Sequence, residues 1–149
     1  MSTSTIHATA VLVGARAVLI QGASGSGKSR LALALLQAAD QGLLPFARLV
    51  ADDRAHVEKA HGRLLVRPAP ALAGLIEVRG IGIRRVPHEP VAVVGLRVEL
   101  GVVEAERLPA EASFQAEIAR VKLPRLGVAA GVDPLPLVLT LLRIPDAGR

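Results

Sequence analysis

The 149-residue sequence contains no cysteine. This excludes a disulfide framework, a Cys-ligated zinc and a thiol nucleophile, and makes a reducing cytoplasm the expected compartment. Tryptophan and tyrosine are also absent, and Phe46 and Phe114 are the only aromatic residues. Surfaces on which single-stranded bases could stack are therefore nearly missing, which argues against nucleic acid as a partner despite a net charge of +5. The positive charge is mostly Arg, scattered between apolar segments, and solvated faces with an anionic-ligand pocket account for it. No apolar stretch reaches the length of about 18 residues that spans a membrane, because Arg16 interrupts the first and Asp133 with the nearby prolines interrupts the last. A soluble protein is expected, with no membrane partner. Met1 to Thr5 carry no positive side chain ahead of the first apolar run, so no secretory leader is expected either.

What is present is apolar residues, at 51% of the chain, enough for the core of one α/β-sized domain over residues 1–149. Ile6 to Val13 and Ala17 to Gln21 read as a β-hairpin turning at Gly14-Ala15-Arg16. A run of helix formers from Ser29 to Gln41 follows a cluster of glycines and stops at Gly42, which makes a strand, glycine loop, helix unit. Arg48 to Ala51 is a short strand ending in Asp52-Asp53, and Val57 to Arg67 is a hairpin centred on His61-Gly62. Ile76 to Val78 and Ile81 to Val86 read as strands. Val91 to Leu100 reads as a strand covered on both faces. Asp133-Pro134 opens a final helix through about Leu142, and there is no internal repeat.

The glycine loop carries the strongest chemical signal. Gly22-Ala23-Ser24-Gly25-Ser26-Gly27-Lys28-Ser29 is a complete G-x-x-x-x-G-K-[ST] string, placed after a strand and opening a helix as its mechanics require. Backbone N–H groups of such a loop curl around phosphates, and the helix N-terminus adds its positive dipole end. Lys28 is placed to reach the β/γ-phosphate oxygens of ATP, and the Ser29 hydroxyl to take Mg²⁺. Lys28 is one of three lysines, with Lys59 and Lys122, in a chain that otherwise uses Arg. Asp52 and Asp53, 24 and 25 residues after Lys28, stand where phosphate-loop enzymes keep a metal-facing or base-type carboxylate. In a strand their side chains point to opposite faces, so one faces Mg²⁺ or solvent and the other the attacking hydroxyl.

A second unusual string is Glu77-Val78-Arg79-Gly80-Ile81-Gly82-Ile83. Together with Ile6-His7, the loop ending Gly27-Lys28-Ser29, and Val50-Ala51-Asp52-Asp53, it makes the chain resemble the catalytic domain of the HPr kinase/phosphorylase family, in a short form without the N-terminal domain. Glu106-Arg107-Leu108 is similar to the family's acid-Arg-Leu string, and Val121 to Gly127 to its dephosphorylation loop, with a departure around Arg125.

The resemblance implies a phosphate-loop α/β domain, a mixed sheet with flanking helices of the phosphoenolpyruvate-carboxykinase-like branch. It implies an enzyme that uses ATP and Mg²⁺ to phosphorylate a serine of the phosphocarrier protein HPr or a paralogue, and that reverses the reaction with inorganic phosphate, releasing pyrophosphate. By the same resemblance Asp53 is the general base with His7 beside it, Lys28 clamps phosphates, Ser29 and Glu77 hold Mg²⁺, and Arg107 stabilises the group in flight. A homo-hexamer belongs to the same set of expectations, and the departure around Arg125 makes phosphorolysis weaker than kinase activity. Two other readings of the residues remain: an ATP-sensing regulatory module of this fold without phosphotransfer, and an Arg-rich nucleic-acid binder.

Overall fold

The structure, a computed structural model, describes residues 3–103, 114–145 and 147. Its strands are β1 (Thr3–Ile6), β2 (Thr9–Val13), β3 (Arg16–Gln21), β4 (Ala47–Ala51), β5 (Ala55–Ala60), β6 (Arg63–Pro68), β7 (Leu75–Val78), β8 (Gly82–Arg85), β9 (Ala92–Val102), β10 (Gln115–Ile118) and β11 (Val121–Ala129). The helices are α1 (Lys28–Asp40) and α2 (Pro134–Arg143), with a short 3-10 turn at Pro70–Leu72. This is a mixed α/β fold. Among the described residues nine strands form one sheet, and β7 and β8 form a separate hairpin. Most pairings are antiparallel, while β9 runs parallel to β3 and to β11. Among the described residues no helix is long and apolar enough to cross a membrane.

Local sequence accounts for the hairpins. Gly14, at φ 61°, opens the two-residue turn that joins Val13 to its partner Arg16. His61 and Gly62 both take positive φ between the paired Ala60 and Arg63, the backbone that a tight hairpin turn demands. Helix α1 buries Lys28, Leu31, Ala32, Leu35 and Ala38, a stripe at helical spacing against the sheet. It ends as its glycine predicts: Gly42 N–H donates to the Ala39 carbonyl and Leu43 N–H to the Ala38 carbonyl, with Gly42 at φ 80°. Asp133 caps α2 by accepting from Leu135 N–H.

Two apolar cores lie on the two sides of the sheet. One contains Leu31 and Leu35 of α1, Val138 of α2, and Val18, Ile20 and Val98 of the strands. The other contains Ala17, Leu19, Val50, Val57, Leu64 and Val66 and no helical residue, so the curled-over β5–β6 hairpin supplies that cover. Among the described residues the expected flanking helices therefore sit on one side only. Strand β9 serves both cores. Ala92 and Val94 belong to the second and Leu96, Val98 and Leu100 to the first, because the register slips between Val94 and Leu96 and turns the strand over. Its alternate residues are half-buried, so the expectation of full cover on both faces fails, as Arg97 and Glu99 at those positions require.

The expected first strand, Ile6 to Val13, is divided. Thr3–Ile6 pairs with β5, Thr9–Val13 pairs with β3 and β4, and His7 lies in the bend where the chain changes partners. Val121 to Gly127, the loop-like segment of the resemblance, is in fact strand β11.

Candidate active site

Strand direction gathers the site at one edge. Strands β2 and β3 are antiparallel, as are β2 and β4, so the C-terminal ends of β3 and β4 and the N-terminal end of β2 meet there. The glycine loop Gly22–Gly27 leaves β3, Asp52 and Asp53 leave β4, and Thr9 begins β2. Ligands of sheet proteins collect at such carboxyl ends.

Asp52 is the hub. Its carboxylate is buried, and Oδ1 accepts from the Ser29 hydroxyl at 2.6 Å and the Thr9 hydroxyl at 3.0 Å. Its Oδ2 accepts from the Glu77 backbone N–H at 2.9 Å. Thr9 Oγ1 also accepts from Asp53 N–H at 3.1 Å, so this fully buried hydroxyl joins the two aspartates. The residues alone left the division of work between them open and relied on strand alternation to separate the two side chains. Strand β4 stops at Ala51 as expected, but beyond it Asp53 takes φ 64° while Arg54 N–H bonds back to the Asp52 carbonyl at 2.7 Å. This tight positive-φ turn is a strained conformation for a residue with a side chain. It turns Asp52 inward and leaves Asp53 64% exposed, its carboxylate 3.9 Å from the Lys28 ammonium.

Lys28 starts the buried stripe of α1, which aims its chain back beneath the loop. The side chain is 6% exposed, and its ammonium donates to the Gly22 carbonyl at 2.9 Å and the Ala23 carbonyl at 3.2 Å. Among the described residues no side chain caps the N-terminus of α1 at Gly27, so the first-turn N–H groups point out at the loop. A cleft of about 380 Å³ opens over these groups, within the range of roughly 300–1,000 Å³ common for small-molecule sites. The loop and α1 as far as Leu33 line one part of it, and Asp53 with Glu77, Val78 and Arg79 line another.

The structure thus brings together Ser24, Gly25, Gly27, Lys28, Ser29, Asp53 and Glu77. His7 is exposed and outside the cleft lining, although the next residue, Ala8, donates its N–H to the Asp53 carbonyl at 3.2 Å. Arg107 lies outside the described residues. Arg125 is away from the cleft and bonds Glu99 at 3.0 and 2.9 Å. Thr9, Arg30 and Arg79 are the polar site residues to which sequence reasoning assigned no role, and Leu33 and Val78 are apolar ones. Nothing marks Thr9 in the sequence, whereas Arg79 stood in the second unusual string. Ser29, Asp52 and Glu77 offer hard oxygen donors that suit Mg²⁺. Among the described residues no three His, Asp or Glu side chains gather as a metal site, so phosphate oxygens and water would have to complete its shell.

The family model for the HPr Serine kinase C-terminal domain matches residues 1–89. HPr kinase/phosphorylase of Streptococcus thermophilus is 43% identical over 81 residues, 54% of this chain and 24% of that protein. The Clostridium tetani protein of the same name is 38% identical over 82 residues, 55% of this chain and 25% of that one. The chain spans about a quarter of the length of these relatives. Among solved structures, that of the HPr(Ser) kinase/phosphatase from Coxiella burnetii superposes with a TM-score of 0.73 at 26% identity, covering 94% of this chain and 88% of that one. With its first 89 residues matched and its fold shared, the chain belongs to the HPr serine kinase C-terminal domain family.

Proposed function

We propose that this chain is an ATP- and Mg²⁺-dependent protein-serine kinase of the cytoplasm whose substrate is HPr or a paralogue. The observation that carries the reading is the set Lys28, Ser29, Asp52 and Asp53 on one sheet edge, with an uncapped helix N-terminus opening into the same cleft. In this reading Gly22 to Ser29 form a phosphate loop of the phosphoenolpyruvate-carboxykinase-like branch, whose N–H groups and Lys28 bind the β- and γ-phosphates. Ser29 and Glu77 hold Mg²⁺, which neutralises charge on the transferring phosphoryl group. Asp52 positions both, since it accepts from the Ser29 hydroxyl and from the Glu77 N–H. Asp53, exposed beside Lys28, takes the proton of the serine hydroxyl as that oxygen attacks the γ-phosphorus. Family resemblance adds His7 in support of Asp53 and Arg107 as a charge stabiliser, and a homo-hexamer as the assembly.

The same cradle would hold inorganic phosphate for the reverse reaction. Phosphate oxygen attacks the phosphoserine phosphorus, pyrophosphate forms, and Asp53 returns the proton to the departing serine oxygen. The test of the forward reaction is incubation of the purified chain with HPr and γ-labelled ATP·Mg²⁺. Label on an HPr serine is expected. Nucleotide binding without any label on HPr would replace the kinase by an ATP-sensing module.

A further inference from the structure

The β7–β8 hairpin carries more exposed apolar surface than its small size explains. It stands outside the main sheet, and every residue of β8 is exposed. Ile81 in its turn is 61% exposed and Ile83 is 62% exposed. Register places Ile83 directly across from Glu77 and Arg85 across from Leu75, so these four residues share one face of the hairpin. Glu77 also lines the cleft, and Arg79 lines it from the start of the turn. The exposed face is therefore continuous with the proposed reaction site. Arg79, Arg84 and Arg85 have no carboxylate partner among the described residues. Two exposed isoleucines are thus set at the rim of the cleft among three guanidinium groups that no described carboxylate neutralises.

We propose that this hairpin face is where the protein substrate docks, through an apolar spot ringed by carboxylates next to its acceptor serine. The proposal rests on the kinase reading and specifies which surface of the chain recognises its protein partner. Charge decides between occupants. A second copy of the chain would bring Arg against Arg across a two-fold contact, and a polyanion such as RNA would leave the isoleucines in water. A folded acidic surface with an apolar centre satisfies both. Because among the described strands β8 pairs with β7 alone, its outer edge also offers backbone groups to such a partner.

The experiment compares the wild type with Ile83→Ser, Arg85→Glu and the conservative pair Ile83→Leu and Arg85→Lys. HPr affinity is measured by fluorescence anisotropy, transfer to HPr by initial rates, and nucleotide binding by the ATP·Mg²⁺ shift in melting temperature. Ile83→Ser and Arg85→Glu should each weaken HPr binding and raise its KM by roughly tenfold or more. Melting temperature, nucleotide shift and kcat should stay near wild type, and the conservative pair should keep HPr affinity. Unchanged HPr affinity in Ile83→Ser and Arg85→Glu would overturn the docking surface and leave the kinase reading standing. Hairpin-dependent HPr binding without transfer by the wild type would support docking and sink the kinase reading. If the substitutions alter self-association or RNA retention while leaving HPr affinity unchanged, the surface belongs to another occupant and the proposal fails.

Discussion

Asp52 and Asp53 are chemically identical neighbours, and the backbone makes them different. The left-handed turn at Asp53 sends one carboxylate into the fold, where three donors meet it, and the other into the open beside Lys28. Asp52→Ala should therefore destabilise the protein by about 2–4 kcal/mol in denaturant unfolding, since it strands the fully buried Thr9 hydroxyl and removes the acceptor of the half-buried Ser29 hydroxyl and the Glu77 N–H. An effect below roughly 0.5 kcal/mol, the scale of a plain surface substitution, would show the hub to be unimportant for stability. Lys28 acts on ligand instead. ATP·Mg²⁺ should raise the melting temperature of the wild type by mass action, and Lys28→Ala should lose most of that rise. Equal shifts in the two proteins would remove the phosphate-loop assignment. By contrast Ser26 Oγ is buried without a partner among the described residues, so Ser26 has no bond to lose on change to Ala.

At the scale of elements, the parts decided by local chemistry were legible in the sequence. The β2–β3 and β5–β6 hairpins, the loop into α1, its glycine stop and the Asp133 cap all follow from residues within a few positions of one another. The parts that depend on distant pairing were not legible. Nothing near His7 announces that β1 joins β5 while β2 joins β3, and nothing near Thr9 announces its two aspartate partners. The turn at Asp53 was hidden for a related reason, because a positive φ in a non-glycine residue is imposed by surroundings and not by propensity. The change of face in β9 rests on Gly95, where an added Cβ would lie 2.7 Å from Arg16 Cβ. Gly95→Ala should cost about 1–3 kcal/mol of stability by forcing the neighbouring strand aside. A variant as stable as wild type would mean that β3 and β9 can separate freely at this point.

At the scale of the whole molecule, one sheet edge holds the cleft, and the β7–β8 hairpin, separate from the main sheet, borders it through Glu77, Val78 and Arg79. Both faces of the sheet are closed by apolar cores, one under the helices and one under β5–β6, which leaves that edge as the place where strand ends and loops present polar groups together. Reversibility belongs to this scale, because the same cleft would serve ATP and inorganic phosphate. Phosphoserine-HPr offered with phosphate at millimolar level, an amount about equal to the upper range of common KM values, should release pyrophosphate more slowly than ATP phosphorylates HPr. Pyrophosphate release that survives Lys28→Ala would refute the shared cradle.

The central claim of the proposed function is that Asp53 acts as base on the serine hydroxyl and has no part in holding the nucleotide. Single-turnover transfer of the γ-phosphoryl group to HPr by wild type and Asp53→Asn, with ATP affinity measured in parallel, tests it most directly. The predicted result is transfer slowed by about 10²–10⁴-fold with nucleotide affinity nearly unchanged. Transfer by Asp53→Asn within roughly tenfold of wild type, below the usual contribution of a general base, would contradict it.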